Sequence, residues 1–354
     1  MQPLRAAHQD AARGGGVVTR GESRRVLALL LVATVFVGLI RMLLDRDPLA
    51  GGLGLAWPDA QWRAFRMTAT ATALLTGAML GVAGMLLQAA LRNPLASPSV
   101  LGVSSGAGLG VMAALFASYH LGVGAPPWSV PALAGAATAV LVVVLLGRRH
   151  GWPDPVSTIL AGVIVATMCG AGMVLLQGLV PDGLRGRFLA WALGTVPELV
   201  PRGAIPAMAA LLGVGALWSW INHGRLDALL LDHASAEAIG ARPGPARLGC
   251  LVLAGILTAV TVAICGPLGF VGLVAPHVAR LMVGPAHRTL LPATLLCGAM
   301  LVCGADVLRQ AIDLGSGRLP VGVLTTLGGG PLFLWLLRRG AGSDWRGGRD
   351  VASM

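Results

Sequence analysis

The sequence contains no lysine, and all 26 of its basic residues are arginine. A phosphate-binding P-loop needs a lysine to reach the nucleotide phosphates, so the chain has no Walker A site of its own. Any ATP-driven function requires a separate subunit. Acidic residues number only 15, and no HExxH motif, CxxC pair or pair of intramembrane carboxylates occurs, which leaves hydrolytic and metal chemistry poorly supported. The five cysteines, Cys169, Cys250, Cys265, Cys297 and Cys303, lie in apolar runs at spacings that fit no metal site. They read as buried free thiols.

What remains is apolar. The 354 residues are 55% hydrophobic and 12% charged, with a mean hydropathy of +0.77, outside the range of soluble globular proteins. The expected fold class is all-α, a polytopic membrane protein of about ten transmembrane helices. The net charge of +11 sits between apolar runs. It therefore reports topology by the positive-inside rule rather than nucleic-acid binding.

Residues 1–25 hold Arg5, Arg13, Arg20, Arg24 and Arg25 without apolar periodicity, and read as a disordered cytoplasmic leader. The run 26–44 has no small-residue cleavage site and is just long enough to span. Residues 45–66, with three aspartates and two tryptophans, fit an outer interfacial loop. Nine more apolar segments follow: 67–90, 99–118, 129–147, 156–179, 201–221, 247–265, 270–283, 289–308 and 320–337. A short surface helix is expected in 180–200. With both termini inside, 17 arginines are cytoplasmic and nine are not, in the sense of that rule. Residues 26–340 are expected to form one transmembrane domain and 341–354 a cytoplasmic tail. Gly77–Ser105 and Gly266–Arg288 share a design of glycine-spaced apolar helix running into a proline turn. They suggest an inverted five-plus-five repeat with a substrate path at the repeat interface.

Glycines recur every three or four residues through Gly77, Gly81 and Gly84, then Gly102, Gly106 and Gly110, which permits close helix packing in lipid. The G-x-S-x-G match at Gly102–Gly106 has no strand before it, and so is not a nucleophile elbow. Gln88, Asn93 and several serines bracket a cytoplasmic turn at Pro94 and Pro98. They either cap two helix ends or, with Asn93 and Leu95, narrow a pathway on the inner side.

The polar insertion 222–247 places Leu226, Leu229, Leu230, Ala234, Ala238 and Ile239 at helical spacing, with Asp227, Asp232 and Glu237 between them and Gly240 closing the helix. Its acidic face disfavours lipid and favours a partner protein. Asp306 and Arg309 stand one turn apart at the outer end of the ninth segment, either a site or a local ion pair. Gly266–Arg288 mixes Gly269, Gly272, Pro276, His277 and Arg280 into a membrane-grade sequence. It reads as a short broken helix, a joint more than a binding site.

The motifs GAMLGVAGMLLQAALRNPLASPSVLGVSSGAG, LLLDHASAEAIGA, GPLGFVGLVAPHVARLMVGPAHR, GADVLRQ and LPVGVLTTLGGGPLFLWLLRR, in this order, resemble those of the FecCD family, the permease subunits of bacterial ABC importers for siderophores, haem and vitamin B12. The resemblance runs from about Arg66 to Arg339. It implies a bacterial inner-membrane permease working as a homodimer, with two ATPase subunits below and a periplasmic binding protein above. No cofactor is expected on this chain, and ATP and Mg belong to the ATPase. It also implies inner-gate roles near Gln88, Asn93 and Leu95, and ATPase coupling through Leu229, Leu230, Ala234, Glu237, Ala238 and Gly240. The family's Arg-x-Pro-Arg-Thr entry to the second helix is absent, its frame holding Arg66, Thr68, Ala69 and Thr70; Arg309 sits one position earlier than in the B12-importer pattern, and Arg318 stands where the family usually has an acidic residue before Leu-Pro. Arg63, Arg66, Arg185, Arg187, Arg309 and Arg318 are therefore the candidates for docking the binding protein. The sequence looks most like haem-importer permeases, which makes haem the expected cargo, then a siderophore, then vitamin B12. An ion-gradient-driven transporter and a membrane-embedded enzyme using Ser104 or His277 are the readings from other classes.

Overall fold

The computed structural model describes residues 20–46, 53–124, 126–231, 243–312 and 319–340. The fold is all-α. Its helices are α1 Arg20–Leu43, α2 Ala60–Leu91, α3 Val103–Leu121, α4 Ser129–Leu146, α5 Pro155–Gly178, α6 Asp182–Ala192, α7 Ala204–Ile221, α8 His223–Leu229, α9 Pro243–Cys265, α10 Val271–Val283, α11 His287–Ala311 and α12 Val321–Gly340. Each of the ten apolar segments corresponds to one helix, and α6 is the expected surface helix. Among the described residues, seven helices are long and apolar enough to cross a membrane by length and composition: α1, α2, α4, α5, α7, α9 and α11. Between α1 and α2, Leu44–Arg46 (β1) and Leu53–Leu55 (β2) form a small antiparallel hairpin, and Pro98–Leu101 is one 3-10 turn.

Two boundaries differ from the sequence reading. Helix α1 already begins at Arg20, inside the expected leader. Helix α2 begins at Ala60, so Arg63 and Arg66 stand on its first turns rather than in a loop; Arg66 holds the end of α1 by donating to the carbonyls of Met42 (3.4 Å) and Leu44 (3.2 Å). In the polar insertion 222–247 the described helix is α8, and residues 232–242 lie outside the described residues. Ala234, Glu237, Ala238 and Gly240 therefore have no described position, and neither does Arg318.

Helix α2 is the mast of the fold. Every residue from Thr76 to Leu91 is buried, as expected of a helix that is apolar all round. Small residues let its neighbours approach. A side chain on Gly77 would overlap the backbone of Gly298 on α11, and one on Gly84 would overlap the carbonyl of Gly272 on α10. Close backbone approach of this kind is the main way helices gain packing where lipid removes the hydrophobic drive. Helix α9 completes the ring around α2, with Thr76 and Cys265 side chains 3.3 Å apart.

The chain breaks between α9 and α10. Gly266 takes a positive φ of 72° and Phe270 one of 64°, so the two helices cannot be one rod. The break is pinned from the segment after α6: Thr195 N–H donates to the Cys265 carbonyl (2.7 Å), and Gly322 N–H, at the start of α12, donates to the Gly194 carbonyl (3.1 Å).

Candidate functional site

At the C-terminal end of α2 the chain turns through Arg92, which adopts a left-handed conformation (φ 48°) and closes the helix. Its Nε donates to the carbonyl of Leu229, the last residue of α8, at 2.7 Å. Arg247, on the first turns of α9, donates from Nε to Ala90 of α2 (2.9 Å) and from Nη1 to Pro153 (3.1 Å). Asp227 of α8 accepts from the backbone N–H of His287, the first residue of α11 (3.0 Å), and its Oδ1 lies 2.6 Å from the ring Nδ1. Burial works against the charged form of Asp227, but the hydrogen bonds from the ring and backbone of His287 outweigh it and hold the carboxyl below its ordinary value. The carboxylate also meets the unpaired N–H groups and the positive dipole end of α11. Three polar links thus gather the ends of α2, α8, α9 and α11.

One turn deeper, Gln88 is 2% exposed. Its amide donates weakly to the Leu273 carbonyl of α10 (3.5 Å), and its Oε1 accepts from Arg280 Nη2 (3.0 Å). The structure therefore joins an expected gate residue to the expected hinge. Pro276 is buried within α10, and His277 sets its ring edge against Phe333 of α12, centroids 5.6 Å apart. Gly272 lies against Pro98 of the 3-10 turn, and Gly269 against the Thr326 hydroxyl of α12. Asn93 and Leu95 lie on the turn beyond: Asn93 Oδ1 accepts from the N–H of Leu95 (2.9 Å), and the Leu95 side chain is exposed. Asn93 thus makes the local capping turn, while Leu95 is left to project.

A small cavity of about 180 Å3 opens beside this turn, lined by Ser97, Ser99, Ser104 and Thr258 on one side and by Pro267–Phe270 on the other. Polar hydroxyls facing irregular backbone at membrane depth fit the rule that such backbone is tolerated only against protein or a cavity.

Two expectations need correction. Leu229 was assigned to a partner's groove, but it is 1% exposed and packs with Leu226 into the chain's own core; of the two described leucines expected to couple, Leu229 and Leu230, only Leu230 is exposed. Arg309 was offered for docking, but it is 8% exposed and spent on Asp306, 2.8 Å away. Asp306, fully buried, also pairs with Arg41 of α1, and with its amide oxygen turned inward Gln310 accepts from the same guanidinium. Arg63 lies over Trp57 and Arg187 over Trp128, and Arg185 pairs with Asp182 at 3.1 Å.

Sequence reasoning did not single out Arg41, Arg92, Asp227, Arg247 or His287 as functional. The available signal was a charge inside a membrane-length helix, which is a functional candidate by default and would have marked Arg41 and Arg247.

A sequence model of the FecCD transport family matches residues 26–339. The chain belongs to that family. Among its relatives is the hemin transport system permease protein HmuU of Yersinia pestis, 33% identical over 290 residues, spanning 79% of this chain and 85% of that one. The vitamin B12 import system permease protein BtuC of Klebsiella pneumoniae is 33% identical over 332 residues, spanning 89% and 93%. The fold matches a solved structure described as an inward-facing conformation of a metal-chelate type ABC transporter, with a TM-score of 0.77, 27% identity, and coverage of 89% of this chain and 99% of that one. This FecCD protein is the permease subunit of an ABC importer, a transport subunit and not an enzyme.

Proposed function

We propose that this FecCD permease carries haem across a bacterial inner membrane into the cytoplasm, as a homodimer fed by a periplasmic binding protein and driven by two ATPase subunits. The observation that carries the cargo class is the whole-chain likeness to a metal-chelate transporter, and the haem assignment leans on the HmuU relative. A corrinoid is the second reading, favoured by the longer match to BtuC. On this proposal both termini face the cytoplasm, the Gln88–Arg280 contact lies beside the inner gate with Asn93 and Leu95, and the insertion containing α8 faces the ATPase.

The test is uptake into proteoliposomes holding the permease with its ATPase and binding protein, offered haem, a ferric siderophore and vitamin B12 in turn. Haem is expected to stimulate ATP hydrolysis and to enter. Entry of B12 alone reassigns the cargo. Uptake that follows an ion gradient with no ATPase present overturns the importer mechanism.

A further inference from the structure

Helix α8 is short, yet it is attached at both ends. Its apolar face, Leu226 and Leu229, is buried in the main core cluster. Its terminal carbonyl, at Leu229, is held by Arg92 at the cap of α2 (2.7 Å), the place on a helix where a cation is best received. Its carboxylate, Asp227, is held by the ring and backbone of His287 at the start of α11. Among the described residues, these are the side-chain hydrogen bonds that tie α8 to helices other than its neighbour α7. The His287 ring is 2% exposed and its Nε2 has no hydrogen-bond partner, so Asp227 is the polar group that fixes the ring.

The two helices that α8 grips are themselves locked together. Gly77 and Gly298 bring α2 and α11 into backbone contact, and Gly81 meets Thr294 one turn further toward the cytoplasm. Interfaces packed this closely shift as bodies rather than deform. Helix α11, 25 residues long, reaches ~37 Å at the usual rise per residue. It carries the Asp227 contact at one end and the Asp306–Arg309–Arg41 cluster at the other. Helix α2 carries Gln88, and through it the Arg280 side chain of α10.

We propose that α8, α2 and α11 move as one body, and that the Asp227–His287 and Arg92–Leu229 contacts are the joint through which displacement of the cytoplasmic insertion enters the transmembrane helices. Asp227, His287 and Arg92 are then positioning residues for transport, acting on the gate through α2 and on the outer charge cluster through α11. This rests on the importer reading above, since it needs an ATPase to displace the insertion.

The experiment uses the full complex in proteoliposomes and reads cargo imported per ATP hydrolysed, per assembled complex, so that loss of yield does not enter the ratio. For D227N the ratio is expected to fall about tenfold, the factor for a coupling of ~1.4 kcal/mol. The double variant D227N/H287N should be no worse than the poorer single variant, because both break one link. D227E, which keeps the carboxylate, should recover part of the ratio, and R288Q, changing an exposed neighbour outside the joint, should keep it whole. Should D227N not assemble, R92Q tests the other half of the joint with the same expectation. A wild-type ratio in assembled D227N or R92Q overturns the proposal. Failure of the wild-type complex to import any chelate with ATP is a different result, and it defeats the importer reading instead.

Discussion

Replacing Asp306 by Asn is the perturbation that the structure makes most costly. The carboxylate is fully buried on α11 and serves two cations at once: Arg41 of α1, 2% exposed, on one oxygen, and Arg309, one helical turn on, at 2.8 Å on the other. An amide of the same shape keeps one acceptor and loses the charge, so two desolvated guanidinium groups are left facing each other. Breaking a buried ion pair by removing one partner costs about 3–5 kcal/mol. With one anion shared by two cations the estimate belongs in the upper half of that range, about 4 kcal/mol, close to a thousandfold in the folding equilibrium. The protein supplies its own probe, because the described cysteines are all free and buried. A thiol-reactive fluorophore added to detergent-solubilised protein is silent until the fold opens. The midpoint of D306N is expected about 8 °C below wild type, taking ~2 °C per kcal/mol for a chain of this size. R41Q/D306N should lose less than the two single losses added together, since they share one interaction. A D306N midpoint within about 1 °C of wild type would refute the claim that this carboxylate fastens α1 to α11.

Gly84→Ala should cost about 1–3 kcal/mol or prevent folding, because its methyl group meets the Gly272 carbonyl; the control Gly183→Ala, with nothing near the added methyl group, should melt like wild type. Asp154→Ala removes the cap on α5, where the carboxylate accepts from Ser157 N–H at 2.9 Å, for about 1 kcal/mol. That bond, against a smaller desolvation effect, holds the Asp154 carboxyl below its ordinary 3.8. A depressed value means that the stabilisation is complete above about 3.8 and fades as pH falls through the depressed value. The gap between wild-type and D154A melting should therefore stay constant from neutral pH down to about 5 and close only below about 4. Gln88→Leu strands the Arg280 guanidinium without its acceptor and should lower stability by about 2 kcal/mol, read in the same thiol assay.

The ten apolar segments were legible, each as one helix, because a bilayer demands about 20 apolar residues for each crossing, a signal that survives without any knowledge of tertiary contacts; seven of those helices are long and apolar enough to cross. The start of α2 was hidden because Ala60–Arg66 carries two arginines and no membrane-grade run, so the helix outlasts its hydrophobic signal. The role of α8 was half visible. Its amphipathic spacing predicted that Leu226 and Leu229 would be buried, but periodicity reports only that a face is covered and not by whom. The covering turned out to be the chain's own core. Arg309 was half legible: its local spacing from Asp306 allowed either a site or a local ion pair, and the ion pair is what forms, while the partner that buries the cluster, Arg41, is 265 residues from Asp306 in sequence. Gln88 and Arg280 were each named for separate reasons, but their contact spans 192 residues, and no local pattern encodes it.

The stretch from Gly266 to Arg288 read as a joint from its glycines and prolines, and the geometry says what kind. Helix α10 has 13 residues, ~20 Å of helix against ~30 Å of hydrocarbon, so the break before it lies at membrane depth. Backbone without helical bonds is tolerated there only when protein or water satisfies it. Part of the satisfaction is visible in the hydrogen bond from Thr195 to Cys265. The remainder of the break, Pro267–Phe270, lines the cavity with Ser97, Ser99 and Ser104. That cavity should therefore be wet during the transport cycle. A cysteine introduced at Leu268 should react with a membrane-impermeant thiol reagent, and faster while the complex turns over ATP, against the silent background of the buried native cysteines. A cysteine at Met112, fully buried in the main core cluster on α3, should not react. Equal silence at both positions would mean that the break is sealed by protein alone and that α10 pivots in a dry interface.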